Sequence, residues 1–334
     1  MPIQCGCSLG KKISLLSNMH CVAKAAFCSL FLLIFFGCRE GRGTLTLSNQ
    51  KILDSVPSGS ALAMSNQFLY IVSDDGTGVY KLDTINYAVQ KIAIAGLSYE
   101  AYRQAKSVKH DFEAASIVEL GGKPYLMALG SGGTAYRDSM LLLNIFNNLD
   151  QRMISVRQFY KELQVLTNTD SLRWNIEGAT LAGDELILLN RGNNLLISCT
   201  LKEFISYLNG DASFPKTKFK KIQLPSIKGH EARLSGVCTI NEDMLLVCAS
   251  VEDTPDWISD GPVLGSYFGI YSLKDEQLTN AFLLTDEKGG PLLQKIESVE
   301  ILEKTSAGDY IFLAVADNDD GRSTLFWLQL SNKQ

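Results

Sequence analysis

The sequence predicts an all-β fold: a five-bladed β-propeller of four-stranded blades, its ring closed by a strand from near the N-terminus. Three observations predict it. A short unit recurs five times in 334 residues, each copy is followed by two apolar runs of strand length, and the last copy lacks a fourth strand that the N-terminal part supplies. The copies begin at Pro57-Ser58-Gly59, Phe112-Glu113-Ala114, Ile176-Glu177-Gly178, Leu234-Ser235-Gly236 and Ile296-Glu297-Ser298. Their central residues lie 55, 64, 58 and 62 positions apart, a near-constant period that fits one blade with generous loops.

Each first strand opens on one of these phrases. The second strands are expected at Phe68–Val72, Tyr125–Leu129, Leu186–Leu189, Met244–Cys248 and Tyr310–Val315. Continuous apolar runs bounded by turn residues suit strands covered on both faces. Third strands follow at Gly78–Leu82, Met140–Asn144, Asn194–Ser198, Tyr267–Tyr271 and Thr324–Leu328. More polar fourth strands are expected at Val89–Ile94, Ile154–Phe159, Lys220–Leu224 and Thr279–Leu284. The fifth copy reaches the end of the chain without one, and Thr44–Leu53 is the segment that completes it. Leu45 and Leu47 should then lie alongside Phe326 and Leu328. Closure of this kind removes the open sheet edge of a linear array. Two alternatives stay open: six blades, if a long insert hides a degenerate one, and a β-sandwich, since even strand spacing alone does not separate the two.

Residues 1–38 stand apart from this domain, which spans 44–330. Their only charges are Lys11, Lys12 and Lys24, followed by the apolar run Ala25–Phe36 and by Gly37-Cys38. A basic start and an apolar run too short for a comfortable membrane span read as a signal segment. A compact version starts at Met19. The ending resembles a bacterial lipoprotein signal, with Phe35-Phe36 where that family prefers an aliphatic and a small residue. The resemblance implies cleavage before Cys38, lipidation of its thiol, a polar tether over 39–43 and an extracytoplasmic, membrane-anchored propeller. An uncleaved anchor is the alternative.

The whole chain carries 31 basic and 36 acidic residues, and the balance without residues 1–38 is −8. An acidic surface disfavours nucleic acid and offers no polybasic membrane patch. Three cysteines remain in the domain, Cys199, Cys238 and Cys248. An odd number without a Cys-x-x-Cys pair is neither a disulfide framework nor a zinc site, and buried thiols are expected.

The first strand of each blade lines the channel, and its start shares one end of the sheet with the end of strand two. One rim therefore gathers Glu113, Glu177 and Glu297, with Ser58 and Ser235 in equivalent places. It also receives Asp74, Asn190, Arg191, Glu252 and Asp317–Asp320, with His110, Arg173 and Arg233 just upstream. The candidate binding residues are Glu113, Glu177, Glu297, Asn190, Arg191, Arg233, His110 and Asp74. Three converging glutamates need neutralising. They hold a hard cation, Ca2+ by its preference for carboxylate oxygens, or pair with arginines, or each caps its own blade. Asp317–Gly321 has the look of a calcium loop but no following glutamate, and a polar turn explains it better. Trp257, in the longest insert, is a lid or a partner contact, or packs on its own blade. No Gly-x-Ser-x-Gly, phosphate loop or dinucleotide fingerprint occurs.

The phrases Asn175-Ile176-Glu177-Gly178 and Lys295-Ile296-Glu297-Ser298 resemble the strand-one motif of phytase-like and esterase-like bacterial β-propellers. By repeat pattern, residues 44–330 are also similar to uncharacterised bacterial propeller lipoproteins. The phytase-like resemblance implies calcium and phosphoester or ester hydrolysis. The residues themselves favour a binding module for a small molecule, glycan or protein at the channel mouth, because the constellation of a reaction is incomplete. A divalent-cation-dependent hydrolase with Glu113, Glu177 and Glu297 as ligands or base is the alternative.

Overall fold

In the computed structural model the described residues are 43–98, 101–254 and 261–332. The expected signal segment with Cys38, the tether as far as Arg42, and Trp257 lie outside them.

Five four-stranded antiparallel sheets form a ring. Strand β1 (Gly43–Leu53) comes first and belongs to the last blade. Blade one is β2 (Gly59–Ser65), β3 (Phe68–Ser73), β4 (Gly78–Asp83) and β5 (Val89–Ala93). Blade two is β6 (Phe112–Leu120), β7 (Lys123–Gly130), β8 (Ser139–Asn144) and β9 (Gln151–Ser155). Helix α1 (Arg157–Leu166) then leads to blade three: β10 (Ile176–Ala182), β11 (Glu185–Asn190), β12 (Leu195–Thr200), helix α2 (Leu201–Leu208) and β13 (Lys218–Lys221). A small hairpin, β14 (Ser226–Ile227) and β15 (His230–Glu231), precedes blade four: β16 (Arg233–Asn241), β17 (Met244–Glu252), β18 (Val263–Ser272) and β19 (Gln277–Leu283). Blade five is β20 (Ile296–Lys304), β21 (Tyr310–Asp317), β22 (Ser323–Asn332) and β1.

The strands are apolar on both faces because each blade is sandwiched between two others. Each of the five junctions has its own core. Leu126 and Leu141 of blade two meet Tyr70 and Val79 of blade one, and Phe312 and Phe326 of blade five meet Leu246 and Phe268 of blade four. Leu313, Val315 and Leu325 pack against Leu62, Leu69 and Ile71, which joins blade five to blade one. Each fully buried side chain of this size contributes about 1.5–3 kcal/mol relative to exposure. The five innermost strands β2, β6, β10, β16 and β20 each touch the next, and β2 touches β20. They also run the same way: near their starts the Ser60 hydroxyl donates to the Phe112 carbonyl, and near their ends the Thr239 hydroxyl donates to Leu181.

Closure occurs as expected, with a small shift. Leu47 pairs with Leu328, Leu45 pairs with Leu330 rather than Leu328, and a bulge at Ser48 brings Gln50 opposite Phe326. Leu45 and Leu47 turn towards the core shared with blade four. Gly43 enters beside Asn332, at the end of the ring that carries the β20–β21 turn.

Two expectations need correction. The fourth strand of blade two is β9, not Ile154–Phe159, and Phe159 belongs to α1. Val156, Phe159, Tyr160 and Leu163 recur at helical spacing and are fully buried, whereas Arg157 and Gln158 face out. Helix α2 was likewise not expected; the Thr200 hydroxyl caps it by accepting the Glu203 N–H.

The second correction concerns register. Every innermost strand carries a bulge near its start, one extra residue opposite its neighbour, at Ser60, Glu113, Glu177, Ser235 and Glu297. Blade one is therefore centred on Ser60, not Ser58. The residue after each bulge is Ala61, Ala114, Gly178, Gly236 or Ser298, all small where the innermost strands crowd together. A Cβ on Gly236 would come within 2.7 Å of the Ser298 Cα.

Candidate functional site

A bulge leaves its extra residue out of the ladder and re-aims its side chain. Here that re-aiming brings Ser60, Glu113, Glu177 and Glu297 to the wall of one cavity of about 730 Å³ at the mouth of the channel. In two serine blades the hydroxyl stitches the ring: Ser60 donates to the Phe112 carbonyl and Ser235 to the Ile296 carbonyl, 2.6 Å away. Eight acidic and five basic side chains line the cavity, among them Asp74, Glu252, Asp317, Lys109, Arg191, Arg233 and Lys295.

The three glutamates share the cavity but have different partners. Glu177 accepts from Asn175 Nδ2 at 2.6 Å and from Arg191 at 3.1 Å. Arg191 extends its second nitrogen to Glu252 on blade four at 2.5 Å and reaches Ser250 at 3.2 Å. Burial raises the Glu177 carboxyl, with Arg191 pulling the other way. Two carboxylates hold Arg191 charged despite its burial. Glu297 pairs with Lys295 at 3.3 Å. Burial pushes its carboxyl up to about 7 against the pull of Lys295.

Glu113 differs. Among the described residues it has no hydrogen-bond or ion-pair partner, and its oxygen comes within 4.8 Å of oxygens of Asp74 and Asp111. Its carboxyl is raised well above the ordinary range by burial, then by repulsion from Asp111, Asp74, Glu177 and Glu297. Lys109 lies 2.5 Å from both Asp74 and Asp111, and Arg137 reaches Asp111 from another side at 3.1 Å. The Ser131 hydroxyl also donates to Asp111. Burial pushes the Asp74 carboxyl up to about 6 even so, and one of its oxygens is buried with no hydrogen bond. The carboxylates that approach one another as a metal-sized group are thus Asp74, Asp111 and Glu113, not the three glutamates.

Six candidates, Glu113, Glu177, Glu297, Asp74, Arg191 and Arg233, line the cavity. Asn190 and His110 do not. Asn190 is fully buried and clasps backbone, accepting the Asn175 N–H at 2.6 Å and donating to the Arg173 carbonyl at 3.0 Å. His110 stacks on Phe112 with Nδ1 2.9 Å from Ser139 Oγ, and burial lowers its pKa. Asp317–Gly321 is a polar turn: the Asp317 carboxylate accepts the Asp319 N–H and Asp320 pairs with Arg322. The three cysteines are free and buried.

Lys109, Asp111, Asn175 and Lys295 were not among the candidates. A signal for three of them lies in the repeat. Two positions before the bulge stand Ser58, Asp111, Asn175, Arg233 and Lys295, a polar set that period-two alternation aims the same way as the bulged residue. The misplaced register of blade one hid that column.

The sequence profile described as "Family of unknown function (DUF6929)" matches residues 55–330. No curated protein matches the chain. Several solved structures are similar at low identity. Malassezia sympodialis allergen Mala s 1 is similar at 10% identity with a TM-score of 0.49, over 85% of this chain and 96% of that one. Myxococcus xanthus glutaminyl cyclase is similar at 8% identity and a TM-score of 0.47, over 87% and 98%. Kuenenia stuttgartiensis hydrazine synthase is similar at 12% and 0.37; 78% of this chain is covered, and the match spans just over half, 56%, of that chain.

Proposed function

The chain belongs to the family of unknown function DUF6929, and from that premise we propose that it is a binding module whose channel-mouth cavity takes a small ligand bearing a positively charged group. A propeller serves binding in general; the ligand class comes from the cavity. The observation that carries the reading is Glu113, an acid without a partner, beside Asp74 and Asp111 in a cavity with more acidic than basic side chains. An ammonium placed there supplies the missing charge and lets Glu113 ionise. Arg191 and Lys295 are already matched by Glu177, Glu252 and Glu297, which leaves the Glu113 side as the negative pole. Residues 1–38 support the remainder of the reading, an extracytoplasmic domain anchored through a lipid on Cys38.

A divalent-cation-dependent phosphoester or ester hydrolase is the second reading. In its favour, Asp74, Asp111 and Glu113 offer only oxygen donors, the type Ca2+ takes. Against it, Lys109 already fills the place between Asp74 and Asp111, so a metal would have to displace it.

Melting of the wild-type chain and of Glu113→Gln, each with ethanolamine hydrochloride, calcium chloride or sodium chloride at matched ionic strength, separates these readings. A rise with ethanolamine that Glu113→Gln abolishes supports the first. A calcium-specific rise lost in the same variant supports the second. No shift in the wild type, or equal shifts in both proteins, overturns both.

A further inference from the structure

The end of the ring opposite the cavity has an uneven surface. Two of its turns, Asp83–Val89 between β4 and β5 and Asn144–Gln151 between β8 and β9, carry bulky apolar tips. Ile85 is 72% exposed, Phe146 78% and Leu149 95%, the last being the most exposed large apolar side chain among the described residues. Turn positions normally go to Gly, Asn, Asp, Ser or Pro, and the turn chemistry here is already supplied by such residues. The Asp83 carboxylate accepts the Ile85 and Asn86 N–H groups, and the Asn144 side chain accepts those of Phe146 and Asn147. The apolar side chains therefore add nothing to the turns and are held outward on stiff supports. In blade four the matching turn reads Lys274-Asp275-Glu276, and in blade three α2 replaces it.

The two apolar turns sit on the blades that follow the closing blade around the ring. Tyr87 of the first packs edge-on against Trp327 of blade five, with ring centroids 5.6 Å apart. The chain enters blade five at Gly43, at this same end of the ring. Forty-two residues precede that point, including the apolar run Ala25–Phe36, and only four residues separate Cys38 from Gly43. A connection that short keeps whatever holds Cys38 within about 15–20 Å of this end.

We propose that this end rests on a lipid bilayer, with Ile85, Phe146 and Leu149 set among the headgroups and the cavity mouth turned away from the membrane. The inference rests on the membrane-anchored reading above. Lys123 and Arg152, both exposed and near enough to act on Asp150 in the second turn, would meet anionic headgroups. Apolar tips on two turns would also restrict the tilt of the domain, which a single point of attachment leaves free.

The test uses the full chain reconstituted into phosphatidylcholine–phosphatidylglycerol vesicles with and without brominated acyl chains. Trp174, Trp257 and Trp327 give a background common to all variants. Phe146→Trp adds an emitter at the proposed contact, and Leu172→Trp adds one on the connection before β10, at the cavity end. Flotation with the vesicles, and loss of most of the added emission of Phe146→Trp but not of Leu172→Trp in brominated lipid, is expected. Flotation with no quenching of Phe146→Trp, or with quenching of Leu172→Trp instead, overturns the orientation and leaves the anchored reading standing. Failure to float overturns both. Circular dichroism matching the wild type confirms that each variant is folded.

Discussion

Arg191 and Glu177 lie 3.1 Å apart at the mouth of the channel, one at the exit of β11 and the other in the bulge of β10. The same guanidinium holds Glu252 of the next blade. All three side chains are at most a tenth exposed, so the network joins two blades where water screens little.

Arg191→Ala should therefore destabilise the domain strongly, by about 3–5 kcal/mol, because it leaves two carboxylates buried without a counter-charge. Adding Glu177→Gln to that variant should recover part of the loss. Urea unfolding of the single and double variants measures both, and a loss of less than about 1 kcal/mol in the single variant would reduce the network to a surface pair.

Stability should fall as pH rises from about 4 to about 7, since raised carboxyls bind protons more tightly folded than unfolded. The sign follows from Glu297, pushed up to about 7, and Asp74, pushed up to about 6. The folded state then holds the extra protons inside that window, and raising the pH removes them at a cost to the fold. Melting curves across pH check it, and a profile that rises over the same window would refute it.

Affinity for a cationic probe such as ethanolamine should show the opposite slope and increase with pH over that range. Protons on Asp74, whose carboxyl is pushed up to about 6, compete with the ligand for the same carboxylate. Calorimetric titration at about pH 5 and pH 8 distinguishes this from a pH-independent site.

Gly236→Ala should cost about 1–3 kcal/mol through overpacking. Its Cβ would approach the Ser298 Cα at 2.7 Å and the Glu297 carbonyl at 3.0 Å, backbone atoms that cannot rotate aside. Gly178→Ala, which meets only side chains at 3.1 Å or more, should cost less.

Much of the architecture was legible because a propeller repeats its physics. Apolar strands at β3, β7, β11, β17 and β21 announce sheets covered on both sides, and the absence of a fourth strand after β22 points to the segment that closes the ring. The bulge was not legible in blade one, where Ser58 and Ser60 both fit the phrase and only pairing with β3 decides between them. Helix α1 was misread because Ile154 and Val156 alternate with polar Ser155 and Arg157 like a strand, across a junction where the period changes. At the site, residue type identified the carboxylates, but it could not tell which had a resident cation. Lys109 reaches Asp74, on a different blade, across 35 positions of sequence.

The β1–β22 ladder has a consequence for biosynthesis. Thr46 and Gln329, bonded across it, are 283 positions apart, so an early strand has no partner until those intervening residues have been made. At ordinary ribosomal rates of about 5–20 residues per second, that strand waits on the order of 15–60 seconds. Blades one to four can assemble as they emerge, but the ring closes only once β22 has followed, and during the wait the open blade is where a chaperone or export factor would find it.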